Sequence, residues 1–400
     1  MTSLISTPAE TEPETIAEEE LPQAAPLVAD VRAEEEEPGA VFGAVDAADV
    51  VAAVRFAGEH GMPVSLRPAA GAVLVTIERM DGVVVDASAR RARVEGGARW
   101  AHVIAAAAPH GLFPVCADSS AAGVVAHILG RGAGPLGRRY GYAADHVRAI
   151  DIVTSNGELR TVDARREPEL FWALRSGGGA KLGIVTAVEL DLAEGDGFYG
   201  GGLYFEAEHA GAVLRAYREW SAGLPESMCT SVAMLRLPDT GELPDSLRGA
   251  FVTHVRVAYV GTPDDGAELL APMRAAAPML VDDVSWRPYT EIDTVHRDPD
   301  EPEPVRARGV RLGELSERTV ERVLDAAGPQ VNVPLPMVEI RHLAGTTFAL
   351  HVAGHGAPGL APLVDAVTER VLDVETTDQG FDGERLARVK RTYDPAGLFG

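Results

Sequence analysis

GLFPVCADSSAAGVVAHILGRGAGPLGRRYG, residues Gly111–Gly141, is the stretch on which the reading of this chain turns. A Gly/Ala/Ser loop runs into the short apolar run VVAHIL, then into the glycine-broken turn GRGAG and the basic-aromatic patch RRYG. Glycines at this density let a main chain pass close to a bulky ligand and offer it N–H groups. The same glycines would also serve tight turns between short strands, so the flanking sequence has to decide. A second glycine cluster follows in WALRSGGGAKLGIVT, residues 172–186.

The chain has 400 residues, enough for two domains, and 46% hydrophobic content, enough for a core. Its net charge of -24 argues against a nucleic-acid partner, whose phosphates call for a basic face. Much of that charge sits in residues 1–38, which hold ten Glu, one Asp and one Arg among Pro and Ala. Such a segment buries too little apolar surface to offset its ordering entropy, which predicts a disordered acidic tail over 1–38. An interaction tail is the sharper alternative. No apolar run approaches the roughly 20 residues that span a bilayer, and no basic-then-apolar leader opens the chain. The expectation is a soluble cytoplasmic protein with no membrane partner. Two cysteines, Cys116 and Cys229, make neither a disulfide framework nor a zinc set. Nothing in the sequence specifies an oligomeric state.

Residues 47–60 after Asp46 read as an N-capped amphipathic helix ending at Gly61. The β-type runs PVSLR, AVLVTI, GVVVD and RARVEG follow, then a helix over Trp100–His110. Val147–Asp163 reads as a hairpin around Ser155–Asn156–Gly157. EPELFWALR is a helix, and LGIVTAVELDL an apolar strand. EGDGFYGGG, residues 194–202, reads as a boundary between domains. Beyond it come LYF as a strand, HAGAVLRAYREWSAGL as a helix, and TSVAMLRL and AFVTHVRVAYV as strands. PDDGAELLAPMRAAA is a helix, and PDEPEP, residues 299–304, an exposed acidic loop. MVEIRHL and TFALHVAG are strands, and residues 358–372 a helix. The pattern predicts an α+β protein: small sheets with helices first, then an antiparallel sheet covered on one face.

Four blocks in this order resemble the berberine-bridge-enzyme-like branch of the vanillyl-alcohol oxidase (FAD-binding PCMH-type) oxidoreductases. ARWAHVIAAAAPHGLFPV resembles the family's helix before the flavin loop. AAGVVAHILGRGAGPLGRRYGYAADHV resembles its G-V-G-G, G-G-G-x-G and R-x-Y-G patterns. VTSNGELRTVDARREPELFWALRSGGG resembles its V-T-A-D-G and P-D-L-F-W-A-L-R-G-G-G-G block, and LARVKRTYDPAGLF its terminal Y-D-P signature. The resemblance covers roughly residues 39–400. It implies an FAD-binding domain over 39–195, a substrate domain over 196–375, and a segment 376–400 that returns to the first domain. It also implies FAD as cofactor and a small-molecule substrate.

Carried over position by position, the resemblance nominates Arg67, Ala69, Gly71, Ser119, Ser120, Gly123, Val124, Val125, Gly130, Ile184 and Val185 as cofactor-binding. The chain departs from the pattern at several of these places. Arg67–Ala72 stands where relatives carry a flavin-tethering His, and no His is present. Ser119 takes the place of the second tether, a Cys, and Cys116 lies three residues earlier. FAD is therefore expected to be bound without a covalent link. The second Gly of G-V-G-G is Ala126, the middle of G-G-G is Arg131, and a G-G-N-F-G turn is replaced by Ala180–Gly183. Residues 371–381 lack the Tyr and Asn of the family's terminal strand, and the stretch between Leu343 and Phe348 is shorter.

Four residues are nominated for chemistry: Tyr140, Glu339, Arg341 and His342. Tyr140 matches a family position that lines the cavity, with packing of an amphipathic ring as the plainer alternative. Alternation along MVEIRHL puts Glu339 and Arg341 on one face and His342 on the other. A structural salt bridge is the plainer reading of Glu339. His351 and His355 lie on a strand rather than a helix, so no metal is expected; His296 reads as a loop residue. Three functions remain open. The first is an FAD-dependent oxidoreductase acting on a small alcohol, sugar or secondary metabolite. The second is a flavin-free cyclase or rearrangement enzyme on the same fold, and the third a non-catalytic family member.

Overall fold

Asp46 starts the first helix, Ala47–His60, by accepting the Ala48 and Asp49 N–H groups at 2.8 and 3.1 Å. Gly61 ends it at φ 64°, the left-handed conformation that glycine adopts most cheaply. The computed structural model describes residues 37–239, 246–297, 305–331, 337–343, 345, 347–355 and 382–400. The predicted acidic tail up to residue 36, the PDEPEP loop, the helix over 358–372 and the segment 371–381 lie outside the described residues.

The chain forms two units. Of the described residues, one holds 37–134, 142–196 and 382–400; the other holds 135–141 and those between 197 and 355. In the first, β1 (Ala40–Gly43), β2 (Val64–Ser65) and β3 (Val73–Thr76) form a parallel sheet in the order β1-β3-β2. Val50, Ala53, Val54 and Ala57, spaced at helical intervals, pack the first helix into a core with Val73, Val75 and Leu398. A second, antiparallel sheet holds β4 (Val83–Asp86), β5 (Arg91–Glu95), β7 (Val147–Val153), β8 (Leu159–Asp163) and β9 (Ile184–Asp191), in the order β4-β5-β9-β7-β8. A short antiparallel pair joins β6 (Leu112–Phe113) and β10 (Ala193–Glu194).

Two local readings are refined. The helix from Trp100 is α-helical only to Ala107, then tightens to a 3-10 turn over Ala108–His110. Pro109 has no N–H to continue the α-helical ladder. The β7–β8 hairpin turns through Thr154–Glu158 rather than a two-residue loop, with Gly157 at φ 71° donating to the Thr154 carbonyl at 2.8 Å.

The second unit is built on an antiparallel sheet of β11 (Gly197–Glu206), β12 (Met228–Arg236), β13 (Phe251–Tyr259), β14 (Met279–Asp282), β15 (Ser285–Pro288), β16 (Val305–Leu312), β17 (Met337–His342) and β18 (Phe348–His355). Its order is β14-β11-β13-β12-β17-β18-β16, with β15 beside β14 along β11. The glycine-rich stretch read as an interdomain boundary does contain the division between the units, at Asp196/Gly197, and its second part, Gly197–Gly202, is also strand in β11. A side chain at Gly202 would fall on the ring of His254, which fills that space from β13. Three helices, Ala210–Ser221, Pro263–Arg274 and Glu317–Ala327, cover one face. They bury Val213, Tyr217, Met273 and Val323 against Val232, Val255, Ile340 and Leu350 of the strands. Among the described residues no helix is long and apolar enough to cross a membrane.

Candidate functional site

The nominated cofactor residues belong to the first unit. Arg67–Gly71 lies in the connection from β2 to β3, in the first unit. The Arg67 N–H donates to Ser65 Oγ at 3.0 Å, and the Ala72 N–H to the Ala69 carbonyl at 3.1 Å, which curls the loop. Gly71 adopts φ 66°. A Cβ built there meets nothing within 4 Å.

The Ser119–Gly130 segment is held by main-chain bonds. Trp100 and Ala101 donate to the Ala122 and Ser120 carbonyls at 3.0 and 2.8 Å, and Val124 donates to Ala98 at 3.0 Å. Ser119 Oγ accepts the Ala121 N–H at 3.2 Å. Gly123 then caps the helix Val124–Leu129 with no side chain in the way. A Cβ at Gly123 would meet only the Ala126 methyl, at 3.8 Å. The first-turn N–H groups of Val125 and Ala126 have no intrahelical acceptor, as at every helix start. Bare backbone, donors and room together suit the pyrophosphate of a dinucleotide such as FAD.

The other glycines here serve the protein itself. A Cβ at Gly134 would collide with the Cys116 carbonyl, and one at Gly179 would sit 2.6 Å from the Leu174 Cα. Val124 spends its N–H on Ala98, and Gly130 closes the helix onto Ala126 at 3.0 Å, so both shape the loop. Ile184 and Val185 are buried in β9, paired with Val153 and Ile152 of β7. Arg131, standing where relatives have glycine, adopts φ 50°. That costs a non-glycine residue about 1 kcal/mol. Its guanidinium lies 4.9 Å from the Tyr142 ring centroid. Cys116 is buried and forms no disulfide with Cys229.

The nominated chemistry residues belong to the second unit, where the sheet face away from the helices carries a polar patch beside the apolar cluster of Leu235, Val252 and Met337. Register lines up two rows across the strands. One row runs Gly202, Arg256, Ser231, Arg341; the next runs Tyr204, His254, Ala233, Glu339, His351. Glu339 is fully buried. Its Oε1 accepts from Ser231 Oγ at 2.7 Å and Arg256 Nη1 at 2.8 Å. Arg341 Nη2 reaches Oε2 at 3.1 Å. The same Nη2 lies 3.1 Å from His296 Nε2, and that nitrogen lies 3.6 Å from Glu339 Oε1. Burial would push the Glu339 carboxyl up, but Arg341, His296 and Arg256 outweigh it and hold the group well below the usual carboxylate range. Glu339 is thus a charge held between guanidiniums and a poor proton acceptor.

Arg256 Nε donates to His254 Nδ1 at 3.2 Å, so the His254 proton sits on Nε2. Burial, reinforced by Arg256, pushes His254 well below its ordinary pKa, and the neutral ring stacks on Tyr204 at 4.0 Å.

His342 stands apart from Glu339 and Arg341, on the helix-covered face, as alternation predicts. It stacks on Phe348 at 4.5 Å, and its Nε2 donates to the Gly345 carbonyl at 2.9 Å. Burial and the nearby Arg138 push its pKa down to about 4, so it is neutral at pH 7. Tyr140 lies on a third element, the helical turn Gly137–Tyr140, which packs on β12. It is half-buried, and the Arg139 guanidinium lies 5.7 Å from its ring. The structure therefore joins Glu339 to Arg341 and leaves His342 and Tyr140 separate.

Sequence reading missed Arg256, His254 and Ser231. The signal was the alternation of His254 and Arg256 with apolar residues inside AFVTHVRVAYV. His296, read as a loop residue, is buried at the end of the 3-10 turn Tyr289–Val295 and joins the Glu339 cluster. His351 pairs in register with Glu339. Among the described residues, Glu206, Glu208 and His209 have ligand-type atoms within 4.8 Å of one another, on an exposed corner.

Residues 38–163 match the family model described as FAD binding domain. Over 274 residues the chain is 27% identical to (R)-6-hydroxynicotine oxidase of Paenarthrobacter nicotinovorans, covering 64% of this chain and 56% of that protein. Over 127 residues it is 35% identical to berberine bridge enzyme-like 3 of Arabidopsis thaliana, covering 30% of this chain and 23% of that one. The chain thus spans about half the length, or less, of these curated relatives. The solved 6-hydroxy-D-nicotine oxidase of Arthrobacter nicotinovorans superposes with a TM-score of 0.75 at 22% identity, over 92% of this chain and 91% of that one. Physcomitrella patens BBE-like 1 gives 0.75 at 15%, over 90% and 89%. At these identities the structural likeness is one of fold.

Proposed function

Because this chain belongs to the berberine-bridge-enzyme-like branch of the FAD-binding PCMH-type oxidoreductases, we propose that it oxidises a small alcohol, sugar or secondary metabolite with non-covalently bound FAD. The observation that carries this reading is the open backbone at Gly123 and Gly71 within the matched domain. Two of these relatives are named as oxidases, which supports the reaction class. When bound, FAD supplies two-electron oxidation: the hydride of a substrate C–H goes to the flavin, and the electrons pass on to dioxygen.

The main chain at Gly123–Ala126 and the Arg67–Gly71 loop would hold the pyrophosphate, with Ser119 and Ser120 beside it and the β9 backbone at Ile184–Val185 along the adenine. Absence of a His from Arg67–Ala72, Ser119 at the Cys position and burial of Cys116 all favour a cofactor without a covalent link. In the second unit, Tyr140 would hold the substrate by accepting a hydrogen bond from its O–H or N–H, orienting the C–H that gives up hydride. Glu339 and Arg341, fixed by Arg256 and Ser231, would present an oriented pair of charges rather than a base. His342, stacked away from them, would brace the β17–β18 turn.

The test is anaerobic mixing of the FAD-loaded protein with panels of alcohols, sugars and amines. Bleaching of the flavin by one class, followed by peroxide release on admitting air, supports the reading. Protein that binds no FAD yet still converts a substrate would move the assignment to the flavin-free cyclase or rearrangement enzyme.

A further inference from the structure

Residues Pro135–Gly141 pack with the second unit, although the chain on either side belongs to the first. One side chain fastens them there. Arg138 is only 8% exposed. Its Nε donates to the Leu343 carbonyl at 3.1 Å, its Nη2 to Leu224 at 2.9 Å, and its Nη1 to Met228 at 3.1 Å and to Pro225. Every one of these acceptors is a main-chain carbonyl.

The four carbonyls come from two places. Leu224, Pro225 and Met228 lie at the entry to β12. Leu343 follows β17, where its own N–H closes a turn onto Thr347 at 2.9 Å. A planar guanidinium with five donors can span such a set; an ammonium, with three donors at one point, cannot. Two residues along the same helical turn stands Tyr140, whose N–H is tied to the Leu136 carbonyl at 3.0 Å.

We propose that Arg138 is a positioning residue: by locking the turn Gly137–Tyr140 to the entry of β12 and the exit of β17, it sets where Tyr140 stands. The proposal rests on the reading that Tyr140 meets the substrate. Misplacing a reacting group by about 1 Å costs on the order of 100-fold in rate, so a loosened turn reads out as lost turnover.

The test compares Arg138→Met, Arg138→Lys, Tyr140→Phe and the Arg138→Met/Tyr140→Phe double variant, all in the full chain. Hydrogen exchange followed by mass spectrometry is read without substrate. Arg138→Met should speed exchange in residues 136–141, around 224–228 and at Leu343, and leave the first unit's sheets unchanged. Arg138→Lys should fall between it and the parent. In the FAD-loaded protein, Arg138→Met should lower kcat by about 100-fold with KM little changed. The double variant should be no slower than Tyr140→Phe, because two changes on one path do not multiply.

A folded Arg138→Met with parental exchange at those segments overturns the proposal. So do losses that multiply in the double variant. If Arg138→Met does not fold, Arg138→Lys decides: parental exchange and parental kcat together overturn it. A parent protein that binds no FAD defeats the functional reading instead, while the exchange measurement still decides whether Arg138 holds the turn.

Discussion

Replacing Glu339 with Gln keeps the shape of the side chain and removes its charge. Glu339 is fully buried and accepts from Ser231, Arg256 and Arg341. The substitution strips the carboxylate that both guanidiniums share inside the protein. Removing one partner of such a buried set costs about 3–5 kcal/mol. For a unit of this size that lowers the midpoint of its thermal transition by roughly 10 °C. The assay is urea and thermal unfolding of parent and Glu339→Gln, with Glu291→Gln as control. Glu291 pairs with Arg287 at 3.2 Å but is 49% exposed, so its loss should stay within about 0.5 kcal/mol.

The pH dependence gives a second reading of the same pair. The folded Glu339 pKa lies below the unfolded value of about 4.3. Its stabilisation is therefore complete above the unfolded pKa and is lost as pH falls through the folded one. The gap between parent and Glu339→Gln should narrow on acidification below about pH 4. A loss under about 1 kcal/mol at neutral pH, or a gap that widens in acid, would refute the reasoning.

Other outcomes follow from single positions. Arg131 sits at φ 50°, so Arg131→Gly should be more stable than Arg131→Ala by about 1 kcal/mol in urea titrations; equal midpoints would show the strain is absent. At Gly202 an added methyl falls on the buried His254 ring, and Gly202→Ala should cost about 1–3 kcal/mol, a neutral result contradicting that packing. Tyr140→Phe should lower kcat by about 100-fold or more while FAD affinity holds, and unchanged turnover would remove Tyr140 from the chemistry. Cys116→Ser should bind FAD like the parent, and acid should release the colour to the supernatant in both; a coloured pellet from the parent would mean a covalent link.

The elements with strong local signals were legible in the sequence. Asp46 and Gly61 bracket the first helix because capping chemistry is local. The apolar alternation of β12, β13, β17 and β18 marks an antiparallel sheet with one covered face. Glu339 and Arg341 could be placed on one face and His342 on the other for the same reason. The partners of Glu339 could not be found this way, since Ser231 and Arg256 lie 108 and 83 residues before it and His296 lies 45 residues before Arg341. Strand register and a 3-10 turn bring them together, and neither is written in a single strand. The run Gly200–Gly202 read as part of a boundary and not as strand, because its glycines make room for the rings of Phe198 on the same strand and His254 on β13. Arg138 was visible only as part of a basic patch; its role rests on carbonyls, which every residue carries.

The central claim is that Gly123–Ala126 and the Arg67–Gly71 loop still hold FAD. Equilibrium titration of the purified chain with FAD, followed by flavin fluorescence and absorbance, tests it most directly. The account predicts saturable quenching with one equivalent bound, appearance of a structured blue absorption band, and weaker binding in Gly123→Val. A chain that leaves FAD fluorescence unchanged across the titration would contradict it.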